Sequence, residues 1–153
     1  MTPKYFILDV DGVMTTGQFL YSVDGKEYKV FGAHDSDGLK LLRSKLVIKF
    51  ISADHRGFDI SKKRIHDDMG YDIDLVSEEK RLEYISKYGY DKVIYMGDGY
   101  HDAPILKKCY YGIAPKNARP EAIKSADYVT DSNSGEGAVL DASLHILKSF
   151  NFD

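Results

Sequence analysis

The chain has 153 residues, 43% of them hydrophobic, which suits a single domain with one sizeable core and leaves a two-domain enzyme cramped. Lys and Arg total 21 against 24 for Asp and Glu, a net charge of -3 with no basic block to track a phosphate backbone, which argues against a nucleic-acid partner. The N-terminal segment through Asp9 is too short and too polar for a signal peptide or a membrane span, so a cytoplasmic location is expected, and a lone Cys109 excludes an intrachain disulfide or a cysteine-clustered zinc site.

In chain order, the apolar run 5–8 predicts a first strand. Segment 18–32 then predicts a β-hairpin, because Phe19-Leu20-Tyr21 and Tyr28-Lys29-Val30-Phe31 flank Asp24-Gly25. Its four large aromatics, Phe19, Tyr21, Tyr28 and Phe31, exceed what a two-stranded ribbon can bury, so another surface is expected to cover it. Helical patterns near 36–44, 58–69, 78–88, 102–109, 119–125 and 136–149 alternate with β-rich runs at 46–51, 73–76, 93–96, 111–114 and 128–130. This rhythm predicts an α/β fold with a parallel sheet. In the last helix Val139, Ala142, Leu144, Ile146 and Leu147 are expected to form the buried face. No linker or repeat interrupts the pattern, so one domain over 1–153 is expected.

Asp9-Val10-Asp11-Gly12 follows the first strand, where the carboxyl ends of parallel strands line the ligand crevice. Residues two apart in extended backbone face the same way, so Asp9 and Asp11 converge while Val10 turns into the core. Two carboxylates held that close call for a cation or a shared proton, and magnesium, a hard oxygen-liganded ion, also neutralises a transferring phosphoryl group. Taken alone, the four residues serve equally as turn-forming aspartates before a glycine. A calcium-binding EF-hand loop is excluded, since Val13 stands where its third acidic ligand belongs. A second acidic cluster, Gly97-Asp98-Gly99-Tyr100-His101-Asp102, follows the run 93–96 and makes Asp98 a candidate metal ligand. Asp102 reads as a further ligand, as an acceptor behind it, or as a cap for the helix entered at Ala103-Pro104. Ser52, ending its strand, offers a hydroxyl to phosphate, and Lys80, near a helix start, offers a compact cation.

This order of motifs resembles the haloacid dehalogenase-like hydrolases, with Asp9 through Thr15 as the first motif, Ser52 the second, Lys80 the third and Gly97-Asp98-Gly99 with Asp102 the fourth. Within them the chain is most similar to the capless branch that contains 3-deoxy-D-manno-octulosonate 8-phosphate phosphatase and the related sugar-acid 9-phosphate phosphatases. The hairpin, the run Phe31 to Leu42 with Asp35 and Gly38, the segment 126–130 and Gly135-Glu136-Gly137-Ala138-Val139 carry that likeness. The resemblance implies a Rossmann-like, doubly wound parallel sheet in three α/β/α layers, capless, with the hairpin as a flap after strand 1. It implies a magnesium-dependent phosphatase for a small phosphorylated metabolite, a sugar or sugar-acid phosphate. Asp9 is the implied nucleophile, forming a phospho-aspartate, and Asp11 the acid and base. The metal is held by Asp9, Asp98 and the Asp11 main-chain oxygen, with Asp102 nearby, while Ser52 and Lys80 grip the phosphoryl oxygens.

His34, Asp54, His55, Arg56 and the hairpin are expected to recognise the leaving group. A homotetramer in which a neighbour's hairpin closes each site is also implied. The chain departs from the branch in three places, reading His34-Asp35-Ser36 for Arg-Asp-Gly, Ala53-Asp54 for Gly-Arg, and Leu140 for an arginine. These changes remove cationic side chains that would bind a substrate carboxylate, which leaves a sugar phosphate without one as the alternative. A phosphoacceptor signalling domain fits less well, because its acids are adjacent on the first strand and its lysine follows the last motif. A non-catalytic scaffold of the same fold is disfavoured by retention of Asp9, Asp11, Lys80 and Asp98.

Overall fold

A computed structural model describes residues 2–152. The first strand, β1 (Tyr5–Asp9), is the third of six in a sheet whose other members are β4 (Val47–Ser52), β5 (Asp72–Leu75), β6 (Val93–Met96), β7 (Tyr111–Ala114) and β8 (Tyr128–Val129). All five pairings are parallel, in the order β5-β4-β1-β6-β7-β8. The chain therefore builds outward from β1 through β4 to β5, then crosses back to lay β6 on the other side of β1. That reversal opens a crevice at the carboxyl ends of β1 and β6, where ligands of doubly wound sheets bind.

Strand alternation divides the core between the two faces of the sheet. Phe6, Leu8, Ile94 and Met96 pack with Leu39 and Leu42 of α1 (His34–Leu42) and with Val139, Ala142 and Ile146 of α6 (Ala138–Ser149). Ile7, Ile51, Val93 and Tyr95 pack on the opposite face with Ile85 of α3 (Arg81–Ser86), Ile105 and Leu106 of α4 (Ala103–Lys108) and Ala122 of α5 (Pro120–Ser125). Leu144 is half exposed rather than part of the α6 core face, because it lies five residues from Val139, on the far side of a 3.6-residue turn. Asp35 in α1 ties the two helices together: its Oδ1 accepts from the Val139 and Leu140 amides at the start of α6. Cys109 is buried at the end of α4, and burial pushes its thiol up to about 12.

The expected 58–69 helix is α-helical only over α2 (Phe58–Lys62) and continues as a widened π turn over Lys63–Asp68. The segment expected at 78–88 opens as a 3-10 turn, Glu78–Lys80, before α3. The hairpin comprises β2 (Thr15–Ser22) and β3 (Gly25–Phe31), forming a separate antiparallel ribbon directly after the first motif. Among the described residues no helix is long and apolar enough to cross a membrane.

Candidate active site

Val10 is fully buried in the core, so the turn after β1 presents Asp9 and Asp11 to a common cavity of about 330 Å³. Ser52 at the end of β4 and Asp98 after β6 line the same cavity. Close approach of the first and last motifs depends on Gly12, which has φ +81° and on which a Cβ would collide with the Asp98 carboxylate. Carboxylate oxygens of Asp9, Asp98 and Asp102 lie within 4.8 Å of one another.

Among the described residues, one cation faces this cluster. Arg81, buried at the start of α3, donates from its Nη1 to Asp102 Oδ1 at 2.7 Å and from its Nη2 to Asp9 Oδ1 at 3.3 Å. Burial opposes its charge, but Asp9, Tyr95 and Asp102 outweigh this and keep the guanidinium protonated. Tyr95 Oη also donates to Asp102 Oδ1 at 2.5 Å, while the Asp98 and Gly99 amides donate to Asp102 Oδ2 at 3.1 and 2.9 Å. Asp102 thus orients Arg81 and shapes the loop that carries Asp98.

Burial raises Asp9 well above the usual carboxylate range, opposed by Arg81 and reinforced by the charges of Asp102 and Asp98. Burial and the Asp102 charge push Asp98 up to about 6. Three carboxylates against one guanidinium leave excess negative charge, and an all-oxygen donor set of this kind fits a hard divalent cation. Asp9 and Asp98 would hold it, with Asp102 at its edge.

The Asp11 side chain is not in that cluster. Its Oδ2 accepts from Lys29 Nζ at 3.0 Å and its Oδ1 from Thr15 Oγ1 at 3.3 Å. Asp54 lines the cavity and pairs through Oδ2 with Lys26 at 2.7 Å and Lys29 at 2.9 Å. Its own burial would raise it, but hydrogen bonds and charge from the two lysines prevail and hold it down at about 2. The Asp54 amide donates to Ser52 Oγ at 3.1 Å, which leaves the hydroxyl proton free for a phosphoryl oxygen. At the mouth, His101 and Glu78 meet at 3.0 Å.

Lys80 is not among the residues lining this cavity. It is exposed and borders a different depression, with Asp74, Ser77 and Tyr84, while the neighbouring Arg81 occupies the expected cationic position. The helix periodicity explains the correction: Arg81 stands four residues before the buried Ile85 and shares its face, whereas Lys80 shares a face with Tyr84, which turns outward to Asp74. His34, His55 and Arg56 are exposed and do not line the cavity. Of the residues expected to recognise the leaving group, only Asp54 and the hairpin residues Phe19 and Lys26 line the cavity. The hairpin contributes Phe19 and Lys26 to the site of its own chain, with Lys26 Nζ 3.5 Å from the Phe19 ring centroid. Lys26 places a cation on the cavity wall beside Asp54. No pattern in the sequence marked it, since its neighbours on the ribbon are equally polar.

The strand order and the acidic cluster at the crossover place candidate cation ligands in the crevice of a doubly wound sheet, and a family model for haloacid dehalogenase-like hydrolases matches residues 76–142. The chain belongs to that family, among its phosphoric monoester hydrolases. The 3-deoxy-D-manno-octulosonate 8-phosphate phosphatase of Salmonella typhi is 31% identical over 143 residues, covering 89% of this chain and 74% of the relative. Two solved structures are similar throughout. The cobalt-bound deoxy-D-mannose-octulosonate 8-phosphate phosphatase of Haemophilus influenzae has a TM-score of 0.82 at 29% identity, covering 95% of this chain and 88% of that one. The Moraxella catarrhalis 3-deoxy-D-manno-octulosonate 8-phosphate phosphatase, in complex with magnesium, phosphate and KDO, has a TM-score of 0.84 at 27% identity, covering 97% and 88%.

Proposed function

We propose that this chain is a cytoplasmic, magnesium-dependent phosphatase of a small phosphorylated sugar acid, 3-deoxy-D-manno-octulosonate 8-phosphate or a close analogue, acting through a phospho-aspartate on Asp9. The observation that carries the proposal is the meeting of Asp9, Asp98, Asp102 and Arg81 on one cavity wall with Ser52 beside them. Asp9 attacks phosphorus, the bond to the leaving oxygen breaks, and Asp11 supplies that oxygen with a proton. Water then attacks the acyl phosphate, Asp11 takes a proton from it, and Asp9 is regenerated as phosphate departs. Ser52 and Arg81 hold phosphoryl oxygens through these steps. A divalent ion at Asp9 and Asp98 supplies charge neutralisation for the phosphoryl group.

Lys26 is the cation in reach of a substrate carboxylate, and Phe19 beneath it gives an apolar wall. Because Lys26 is already paired with Asp54, a sugar phosphate lacking the carboxylate is the second reading. The active species is proposed to be a homotetramer, for which the ribbon retains an exposed apolar surface of Leu20, Tyr21, Val23 and Tyr28.

A panel of sugar phosphates, sugar-acid phosphates and nucleotides, assayed for phosphate release with magnesium and with EDTA, tests the reading. The 8-phosphate sugar acid is expected to give the highest kcat/KM, with activity lost in EDTA and restored by magnesium. Asp9→Asn should yield no phospho-enzyme. Full turnover in chelator, or wild-type turnover by Asp9→Asn, would overturn the mechanism.

A further inference from the structure

The reaction proposed above needs a proton at the leaving oxygen, and a carboxyl group delivers it well only when held in line with that oxygen. The surroundings of Asp11 show how it is held. Lys29, on β3 of the hairpin, has a side chain with 0% exposure. Its ammonium has three N–H donors and meets three oxygens: Ser61 Oγ at 2.7 Å, Asp54 Oδ2 at 2.9 Å and Asp11 Oδ2 at 3.0 Å. Ser61, on α2, is itself fully buried. The lysine stem reaches this point across Gly57, where a Cβ would stand 2.8 Å from Lys29 Cε. The other Asp11 oxygen is held by Thr15, the first residue of β2. Both restraints on Asp11 therefore come from the hairpin, and they keep its carboxylate apart from the Asp9, Asp98 and Asp102 oxygens.

Lys29 is buried, is held by Asp11 and Ser61, and does not line the cavity, so it does not bind substrate. We propose that Lys29 is a positioning residue, which fixes the Asp11 carboxyl group where it passes its proton to the leaving oxygen as the P–O bond breaks and the Asp9–phosphorus bond forms. The hairpin is thus part of the proton-transfer apparatus as well as a wall of the cavity. This inference rests on the role proposed for Asp11.

The test compares two leaving groups in the magnesium-loaded enzyme. The parameter kcat/KM reports steps through the first irreversible one, so it isolates phosphoryl transfer from later hydrolysis of the phospho-enzyme. In Lys29→Met, kcat/KM for an alkyl phosphate, whose leaving oxygen must be protonated, is expected to fall about 10–100-fold. For 4-nitrophenyl phosphate, whose leaving group needs no proton, the fall is expected to stay within about threefold. Ser61→Ala, which loosens the lysine without removing its charge, should show the same selectivity with a smaller loss and remains informative if Lys29→Met folds poorly. Equal losses on both esters, or no loss on the alkyl ester, overturn the proposal. A crystal structure of Lys29→Met gives a readout independent of turnover: Asp11 is expected to leave its wild-type rotamer, and an unmoved Asp11 refutes the positioning role. A wild-type enzyme inactive on every ester would instead defeat the phosphatase reading, with the Asp11 rotamer still deciding the role of Lys29.

Discussion

Replacing Arg81 by methionine keeps most of the buried volume and removes the cation that pairs with both Asp9 and Asp102. Two charge-assisted hydrogen bonds are lost, at about 1.5–3 kcal/mol each, and removing one partner of a buried ion pair costs about 3–5 kcal/mol because the remaining charge is stranded. Taking the latter range, and a shift of about 2–4 °C per kcal/mol for a domain of this size, the melting temperature in EDTA should fall by about 6–20 °C. Saturating magnesium should recover part of that loss by supplying the missing positive charge to Asp9 and Asp98. Catalysis should suffer more than stability recovers, with kcat/KM down about 100–1,000-fold, the usual consequence of removing a donor to a developing oxyanion. Lys80→Ala is the control: Lys80 is exposed and outside the cavity, so it should shift stability by no more than about 0.5 kcal/mol and leave turnover near wild type. Differential scanning calorimetry and phosphate release on both variants decide the matter. Loss of activity in Lys80→Ala with Arg81→Met unaffected would refute the assignment of Arg81 to the site.

Asp54 is depressed to about 2 in the folded chain, so its contribution to stability is present above the unfolded value of about 4 and disappears as pH falls through 2. The melting temperature of wild type should accordingly drop more steeply between pH 4 and pH 2 than that of Asp54→Asn; parallel curves would show that the lysine pairs contribute nothing. For the proposed tetramer, Tyr21 and Tyr28 are 62% and 64% exposed on the ribbon and away from the cavity lining. Burying a large side chain is worth about 1.5–3 kcal/mol, so the Tyr21→Ser/Tyr28→Ser double variant should sediment as a smaller species than wild type. A fully active wild-type monomer at assay concentration would rule the assembly out.

The alternation of short apolar runs with helical periodicity was sufficient for the parallel sheet, because each strand and helix declares itself within a window of ten or so residues. The placement of Asp9 and Asp98 was legible for the same reason: each follows an apolar strand directly, and parallel strands all end on one side. The structure added the side-chain partnerships, which depend on elements distant in the chain. Arg81 and Lys80 are adjacent cations at a helix start, and only the seating of Ile85 in the core decides which of them faces Asp9. That seating was partly readable from the apolar position four residues on, and the 3-10 turn before α3 obscured it. The hairpin was recognisable from Asp24-Gly25 and its flanking aromatics, but its register and its fold back over the crevice were not. Those depend on Gly57 admitting two lysine stems to Asp54, a contact spanning 28 residues for Lys26, so the cations that complete the site became visible only when β3 and the β4 turn stood side by side. Local pattern determines elements and the edge at which their ends lie; which charges meet there is settled by packing, since a buried ion pair forms only where the surrounding core holds both partners in reach.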